Sequence, residues 1–170
     1  RRTRISGVAG AYATVYRCAL PAWAGDTSVV LKHLDTPKHI QDRCAQVDFH
    51  SEVTILDTLA GRPSACKMFD FGLDPRADAL LLVLKDYRCS LKQWRAAQPA
   101  DPAVQLRLYY AVFRQVVVAV GELLDAGVIH FDLKCDNVLL EPLPGRNNAE
   151  FWSPSSATPP FKVVLADFGE

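Results

Sequence analysis

The stretch from His130 to Leu140 constrains this 170-residue chain more than any other part of its sequence. It places Asp132, Lys134 and Asn137 within six residues of one another, and an apolar run at 138–140 follows directly. A short polar turn that runs into an apolar strand predicts that these three side chains lie together where the strand begins. The turn therefore brings a carboxylate, an ammonium group and an amide to one place.

A second motif, Asp-Phe-Gly at 167–169, follows an apolar run at 161–165 that we interpret as another strand. Such a set of groups suits phosphoryl transfer, in which a protein accepts a hydroxyl proton, neutralises phosphate charge and holds a metal ion. The two patterns, H-x-D-L-K-x-x-N and D-F-G, resemble the catalytic loop and the metal-binding motif of eukaryotic-type protein kinases. The resemblance implies that Asp132 accepts or orients the hydroxyl proton and that Lys134 stabilises the transferring phosphoryl group. It also implies that Asn137 and Asp167 hold Mg²⁺.

The first half of the chain carries the features that the resemblance implies for ATP binding. Residues 29–32, Val-Val-Leu-Lys, resemble the kinase V-A-I-K strand, so Lys32 is implied to contact the nucleotide phosphates and Val30 to lie over the adenine. Glu52 lies on the flank of an apolar helix face, where the resemblance implies that it pairs with Lys32. The other implied nucleotide-binding positions are Gly7, Gly10, Val15, Leu84 as the gatekeeper, and Leu139.

Two positions depart from the kinase pattern. When the glycine-rich loop is registered on Val15, its three glycine positions fall on Val8, Gly10 and Ala13, so only one of them is glycine. Phe131 stands where kinases normally have an arginine that pairs with a phosphorylated activation loop. We hypothesise from this second departure that the enzyme does not need that phosphate.

Hydrophobic periodicity predicts two long helices. The first begins at Thr36-Pro37 and ends near Ala60, and the second begins at Asp101-Pro102 and breaks at 126–127. Apolar residues recur every three or four positions along the second helix, and we interpret this stripe as core: Leu106, Tyr109, Tyr110, Phe113, Val116, Val117, Val120, Leu123 and Leu124.

The predicted fold class is α+β, a bilobal fold of the protein-kinase type. We expect a small nucleotide-binding lobe at 1–86, with a five-stranded antiparallel sheet and helix C. Residues 87–170 should form the first part of a mainly helical large lobe, because the kinase pattern would continue beyond Glu170. The segment 142–160 is rich in Pro, Ser and Asn, and it makes the spacing from Asn137 to Asp167 unusually long. We therefore expect 142–160 to be a disordered insertion.

Composition limits the partners and the compartment. Lys plus Arg and Asp plus Glu each number 19, so no basic excess favours binding to nucleic acid or to a membrane surface. No apolar run is long enough to span a membrane, and we see no signal peptide. Five scattered cysteines favour reduced thiols and an intracellular, cytoplasmic protein. The oligomeric state is not predictable from these features.

The leading hypothesis is an ATP- and Mg²⁺-dependent protein kinase that acts on serine or threonine hydroxyls of a protein substrate, although these 170 residues alone are expected to be inactive. The alternative is a nucleotide-binding pseudokinase or scaffold without catalysis, which the sparse glycine loop suggests. A third candidate is a small-molecule kinase of the aminoglycoside or choline type. It shares the H-x-D-x-x-x-x-N turn, but Lys134 favours a protein kinase.

Overall fold

A computed structural model describes residues 2–4, 13–19, 28–35, 43–76, 79–98, 102–152 and 158–168. The chain divides into two compact units. The first contains the described residues up to Ala60 together with Lys67–Asp86, and the second contains Gly61–Cys66 and Tyr87–Phe168. Residues 61–66 thus group with the second unit, whereas the sequence analysis assigned them to the first. Gly7, Gly10 and the helix start at 36–37 lie outside the described residues.

The described residues of the first unit form an antiparallel sheet and a helix. Its five strands have the order β1-β2-β3-β5-β4. Every neighbouring pair is antiparallel, as the sequence analysis expected. The elements are β1 (Arg2–Arg4), β2 (Thr14–Ala19), β3 (Ser28–Asp35), α1 (Arg43–Thr58), β4 (Met68–Asp74) and β5 (Ala79–Lys85).

The core of this unit follows from the apolar pattern. Phe49, Val53 and Leu56 recur at helical spacing along α1 and are all buried. Between β4 and β5 the chain turns at 74–76, where the Arg76 backbone N–H donates to Oδ1 of Asp74 at 3.0 Å. This Asx-type bond is typical of Asp at a turn and stabilises the start of the connection to β5.

The second unit combines helices with a small sheet. Three strands, β6 (Cys89–Ser90), β7 (Val138–Pro142) and β8 (Phe161–Leu165), are antiparallel in the order β6-β7-β8. Its helices are α2 (Leu91–Ala96), α3 (Pro102–Leu124) and α4 (Asn148–Trp152). A capping box begins α2, because the Ser90 and Gln93 side chains each accept a hydrogen bond from the other's backbone N–H.

The end of α3 agrees with the break predicted from the sequence. Gly127 has φ +74°, a left-handed conformation that suits glycine. The backbone N–H of Val128 donates to the Leu123 carbonyl at 2.9 Å, and that of Gly127 donates to the Leu124 carbonyl at 2.9 Å. These two bonds form a Schellman motif, which satisfies carbonyls that the helix end would otherwise leave unpaired.

The face of α3 that packs differs from the predicted one. Among the α3 side chains that the structure describes, the buried ones are Leu108, Val112, Ala119 and Leu123, of which Leu123 belongs to the predicted stripe. The Gln115 amide also fastens this side of the helix to β8, since it donates to the Phe161 carbonyl and accepts from the Val163 N–H. Most of the stripe interpreted as core is instead exposed, namely Leu106, Tyr110, Phe113, Val117 and Leu124. The helix is apolar on two faces, and periodicity alone does not say which of them meets the sheet.

The segment 142–160, which we expected to be a disordered insertion, contains a short helix in the part that the structure describes. The one-turn helix α4 is capped by Asn147, whose side-chain Oδ1 accepts from the Glu150 N–H at 2.8 Å. Phe151 is 2% exposed, and its ring packs against Phe161 with the ring centres 5.6 Å apart. The buried Trp94 Nε1–H donates to the Phe151 carbonyl at 2.8 Å. Apolar burial of this aromatic residue thus orders a segment whose overall composition suggested a linker. Residues 153–157 lie outside the described part.

Candidate active site

Strand register groups the predicted nucleotide-binding residues of the first unit on one face of its sheet. Val15 of β2 lies opposite Lys32 of β3, and Val30 of β3 lies opposite Leu84 of β5. Directly opposed residues share a face, and so do residues two apart along a strand. Val15, Val30, Lys32 and Leu84 therefore occupy the same face. Gly7 and Gly10, the other positions predicted in this half, lie outside the described residues.

The expected ion pair between Lys32 and Glu52 is present in the structure. The Lys32 Nζ lies 2.8 Å from Oε2 of Glu52, which reaches β3 from α1. The Glu52 side chain is only 3% exposed, and that of Lys32 is 22% exposed. A carboxylate buried this deeply is costly unless it is paired, so the contact fixes the lysine ammonium at a defined place on the sheet face.

The predicted catalytic turn brings its three polar residues into direct contact within the second unit. The Asn137 side-chain amide donates to Oδ2 of Asp132 at 2.9 Å and to the Asp132 carbonyl at 3.0 Å. The Lys134 ammonium forms an ion pair with the same Oδ2. The Asn137 backbone N–H closes the turn by donating to the Lys134 carbonyl at 2.9 Å. Asn137 is buried, whereas Asp132 keeps access to solvent.

These contacts lower the pKa of Asp132 below its ordinary value. The largest cause is the hydrogen bond from Lys134, and the positive charge of Lys134 and the hydrogen bond from Asn137 act in the same direction. Desolvation opposes them but is outweighed. Asp132 is therefore ionised at neutral pH and can act as an acceptor for a hydroxyl proton.

The segment before Asp132 is joined to the segment that carries Asp167. The His130 Nε2 lies 3.0 Å from the Ala166 carbonyl oxygen, and the His130 ring is 5.0 Å from that of buried Phe168. A carbonyl can only accept, so the contact assigns the proton to Nε2. The Ala166 N–H also donates to the Asn137 carbonyl at 3.0 Å, which places residues 137 and 166 side by side.

Asp167 follows in an unusual backbone conformation. Its φ is +67°, which is uncommon for residues other than glycine, although aspartate adopts it more readily than most, and such conformations are found at many active sites. The conformation exposes the Asp167 side chain while Phe168 turns into the core. Leu139, the remaining predicted position, lies half-buried on β7 opposite Val164.

Two sets of contacts around these residues were not predictable from the sequence. In the second unit, the Lys92 backbone N–H donates to the Cys135 carbonyl at 3.1 Å, and its ammonium lies 3.0 Å from Oδ1 of Asp136. In the first unit, the Asp86 carboxylate binds both Arg17 and Ser28. Each contact joins residues more than forty positions apart, so no local pattern in the sequence signals it.

The described residues also bear on metal sites, membrane-spanning helices and cysteine thiols. They contain no cluster of three or more His, Cys, Asp or Glu side chains placed to hold a metal ion. In the same part of the chain, no helix is long and apolar enough to cross a membrane. Of the cysteines described there, Cys18, Cys66, Cys89 and Cys135 are free thiols, and burial raises the pKa of Cys89 to about 11.

An antiparallel sheet with a Lys–Glu pair and a turn that joins Asp, Lys and Asn are together features of a protein-kinase catalytic domain. Comparison with known proteins agrees. The chain is 40% identical over 162 residues, 95% of its length, to a probable serine/threonine-protein kinase of Dictyostelium discoideum. It is 37% identical over 90 residues, 53% of its length, to the human mitochondrial serine/threonine-protein kinase PINK1. No protein-family model matches the chain.

The chain is thus homologous to serine/threonine protein kinases, and its sequence corresponds to part of a kinase catalytic domain. It spans 6% of the length of the first relative and 13% of the second.

Proposed function

We propose that this chain supplies the nucleotide-binding and catalytic residues of an ATP-dependent serine/threonine protein kinase. The observation that carries the proposal is the direct contact of Asp132 with both Lys134 and Asn137. Phosphoryl transfer demands positioning and charge neutralisation more than covalent chemistry from the protein, and this turn provides both. Homology to serine/threonine kinases supports the same substrate class, a protein hydroxyl.

In this proposal the second unit handles the acceptor. Asp132 stays ionised because Lys134 and Asn137 stabilise its negative charge, so it can accept the proton of the attacking hydroxyl. Asn137 holds the carboxylate in place by its two bonds to Asp132. The ammonium of Lys134 lies beside Asp132, where it can neutralise the negative charge that develops on the transferring phosphoryl group.

The residues proposed for Mg²⁺ fit the chemistry of that ion. Magnesium takes oxygen ligands and is usually bound by one or two protein side chains in addition to substrate phosphates. Asp167 offers an exposed carboxylate and Asn137 offers an amide oxygen, and the backbone bond from Ala166 to Asn137 joins the two segments that carry them. When bound, the ion would neutralise charge on the phosphates.

In the first unit, Lys32 is proposed to bind the nucleotide phosphates. Its ammonium stays at a fixed place because Glu52 is buried and cannot exchange its partner for water. Val15, Val30 and Leu84 share the sheet face with Lys32 and offer an apolar surface for the adenine ring.

The test compares ATP binding and γ-phosphoryl transfer in the full-length protein and three variants. Asp132→Asn should retain ATP binding and lose transfer, whereas Lys32→Met should weaken both. Glu141→Gln is a matched control, because it removes a carboxylate paired with a lysine at 3.0 Å in the same unit but outside the turn. It should change neither property.

The same measurements separate the alternative functions. A nucleotide-binding pseudokinase would bind ATP in the wild type and in Asp132→Asn and would transfer phosphate in neither. Transfer to an aminoglycoside or choline in preference to any serine or threonine peptide would favour a small-molecule kinase. Equal transfer by the wild type and Asp132→Asn would refute the proposed role of the turn.

A further inference from the structure

A charged cluster in the first unit has no role in the function proposed above. Asp86 directly follows β5, and its side chain is only 10% exposed. Arg17 of β2 binds this carboxylate with two nitrogens, Nε to Oδ2 at 2.7 Å and Nη2 to Oδ1 at 2.9 Å. The Ser28 hydroxyl at the start of β3 donates to Oδ2 at 2.5 Å. The Asp86 carboxylate therefore links β2 and β3 to the segment that follows β5.

The strand register places this cluster beside the proposed nucleotide-binding residues. Arg17 lies opposite Val30 on β3, and Val30 lies opposite Leu84 on β5. Arg17 also lies two residues from Val15 on β2, so both side chains belong to the sheet face that carries Lys32. Arg17 therefore stands in line with Val30 and Leu84 across the sheet, while Ser28 lies two residues before Val30 and Asp86 two residues after Leu84.

The ion pair between Arg17 and Asp86 has a strong and directional geometry. A guanidinium that meets a carboxylate with two parallel hydrogen bonds fixes orientation as well as distance, and a lysine cannot reproduce this fork. Because Arg17 is half exposed, the ion pair contributes little to global stability. Its main effect is to hold the Asp86 side chain, and with it the backbone at 85–86, in one conformation.

The same backbone is held on its other side. The Lys85 N–H donates to the Lys67 carbonyl at 2.9 Å, just before β4. Residues 85–86 are therefore fixed by a main-chain bond on one side and by the Arg17–Asp86–Ser28 cluster on the other. A segment held in this way presents its remaining backbone groups at constant positions, which lowers the cost of ordering them when a ligand binds.

We propose that Arg17, Ser28 and Asp86 are positioning residues for the nucleotide base. They act by fixing the backbone that leaves β5, so that its peptide groups can hydrogen-bond the edge of a purine. The inference rests on the proposed function, since it requires that this sheet face binds ATP. It adds three residues that act through the main chain and do not take part in the transfer step.

The test measures KM for ATP, kcat and the Kd of the fluorescent analogue mant-ATP for the full-length protein. Arg17→Ala and Asp86→Ala should each raise KM and Kd by about tenfold, the effect of losing a charge-assisted hydrogen bond, with kcat changed less than twofold. The double variant should resemble the single ones, because either change releases the same segment. Arg17→Lys should give an intermediate KM, since it keeps the charge but loses the fork.

Two further variants keep the result interpretable. Arg146→Ala removes an arginine from an exposed pair with Glu150 in the other unit and should leave KM unchanged. Ser28→Ala removes one hydrogen bond and keeps the ion pair, so it tests the cluster even where the alanine variants fail to fold. It should raise KM by about threefold.

The outcomes separate this inference from the proposed function. If Lys32→Met weakens mant-ATP binding but changes at Arg17, Asp86 and Ser28 do not, the positioning role is refuted while the proposed function stands. A fall in melting temperature with unchanged KM would likewise refute it and leave a purely structural ion pair. If the wild type binds no nucleotide, the proposed function fails first and this inference fails with it.

Discussion

The buried ion pair between Lys32 and Glu52 gives the most quantitative prediction. Glu52 is 3% exposed and Lys32 is 22% exposed, so replacing Lys32 by methionine keeps the length of the side chain but leaves a buried carboxylate without its cation. Removing one partner of a buried ion pair lowers the free energy of unfolding by about 3–5 kcal/mol. Because Lys32 is partly hydrated, we expect Lys32→Met to lower it by about 3 kcal/mol, the lower end of this range.

Replacing both partners should recover most of this loss. The double variant Lys32→Met/Glu52→Leu buries no unpaired charge, and apolar replacement of a whole buried pair is often neutral or stabilising. The comparison therefore separates the cost of an unpaired charge from the loss of packing. A difference of about 3 kcal/mol corresponds to roughly two orders of magnitude in an opening equilibrium, since each factor of ten is about 1.4 kcal/mol.

Hydrogen exchange of amides in α1 and β3 measures this local opening in the full-length protein. We expect exchange in these elements to be roughly 100-fold faster in Lys32→Met and close to wild-type rates in the double variant. Amides of β7 and β8 in the other unit serve as an internal control. Equal acceleration in the single and double variants, or less than threefold acceleration in the single one, would refute the reasoning from the buried charge.

Three further predictions concern the second unit and its regulation. Lys134→Met should raise the pKa of Asp132 towards its ordinary value, because Lys134 is the largest cause of its lowering, and a carboxyl-detected NMR titration would show the shift or its absence. In the wild type the stabilisation from this contact is present above the ordinary pKa of aspartate and is lost as pH falls through the lowered value. Phe151→Ala should destabilise α4 by about 3–5 kcal/mol and expose 143–152 to protease, whereas the same change at exposed Phe113 should leave that segment protected. Activity of the full-length enzyme should survive phosphatase treatment, because the exposed Phe131 stands in place of the arginine that would bind an activation-loop phosphate; loss of activity would contradict this.

The sequence predicted those features that depend on local pattern. The apolar face of α1 follows from helical spacing, since Phe49, Val53 and Leu56 recur at that spacing and are buried. The end of α3 was predictable because Gly127 is the residue that tolerates a left-handed conformation. The Lys32–Glu52 pair was expected only from the resemblance to kinases, since twenty residues separate its members.

Features set by distant contacts were not predictable. The exposed stripe of α3 is as apolar as its buried side, so the choice of face depends on which residues meet β8, as Gln115 does through two bonds. The helix α4 has five residues, too few for a periodic pattern, and it is ordered by Trp94, a residue 57 positions earlier. The cluster around Asp86 was not predictable either, because the partners of Asp86 are 58 and 69 positions away in the sequence.

The central claim is that Asp132 serves phosphoryl transfer from ATP. Its most direct test is a single-turnover measurement with ATP already bound to the full-length protein, so that binding and chemistry are separated. The account predicts that Asp132→Asn lowers the transfer rate by at least about 10²–10⁴-fold, the usual contribution of a positioned general base, with ATP affinity unchanged. A transfer rate in Asp132→Asn equal to that of the wild type would contradict the account.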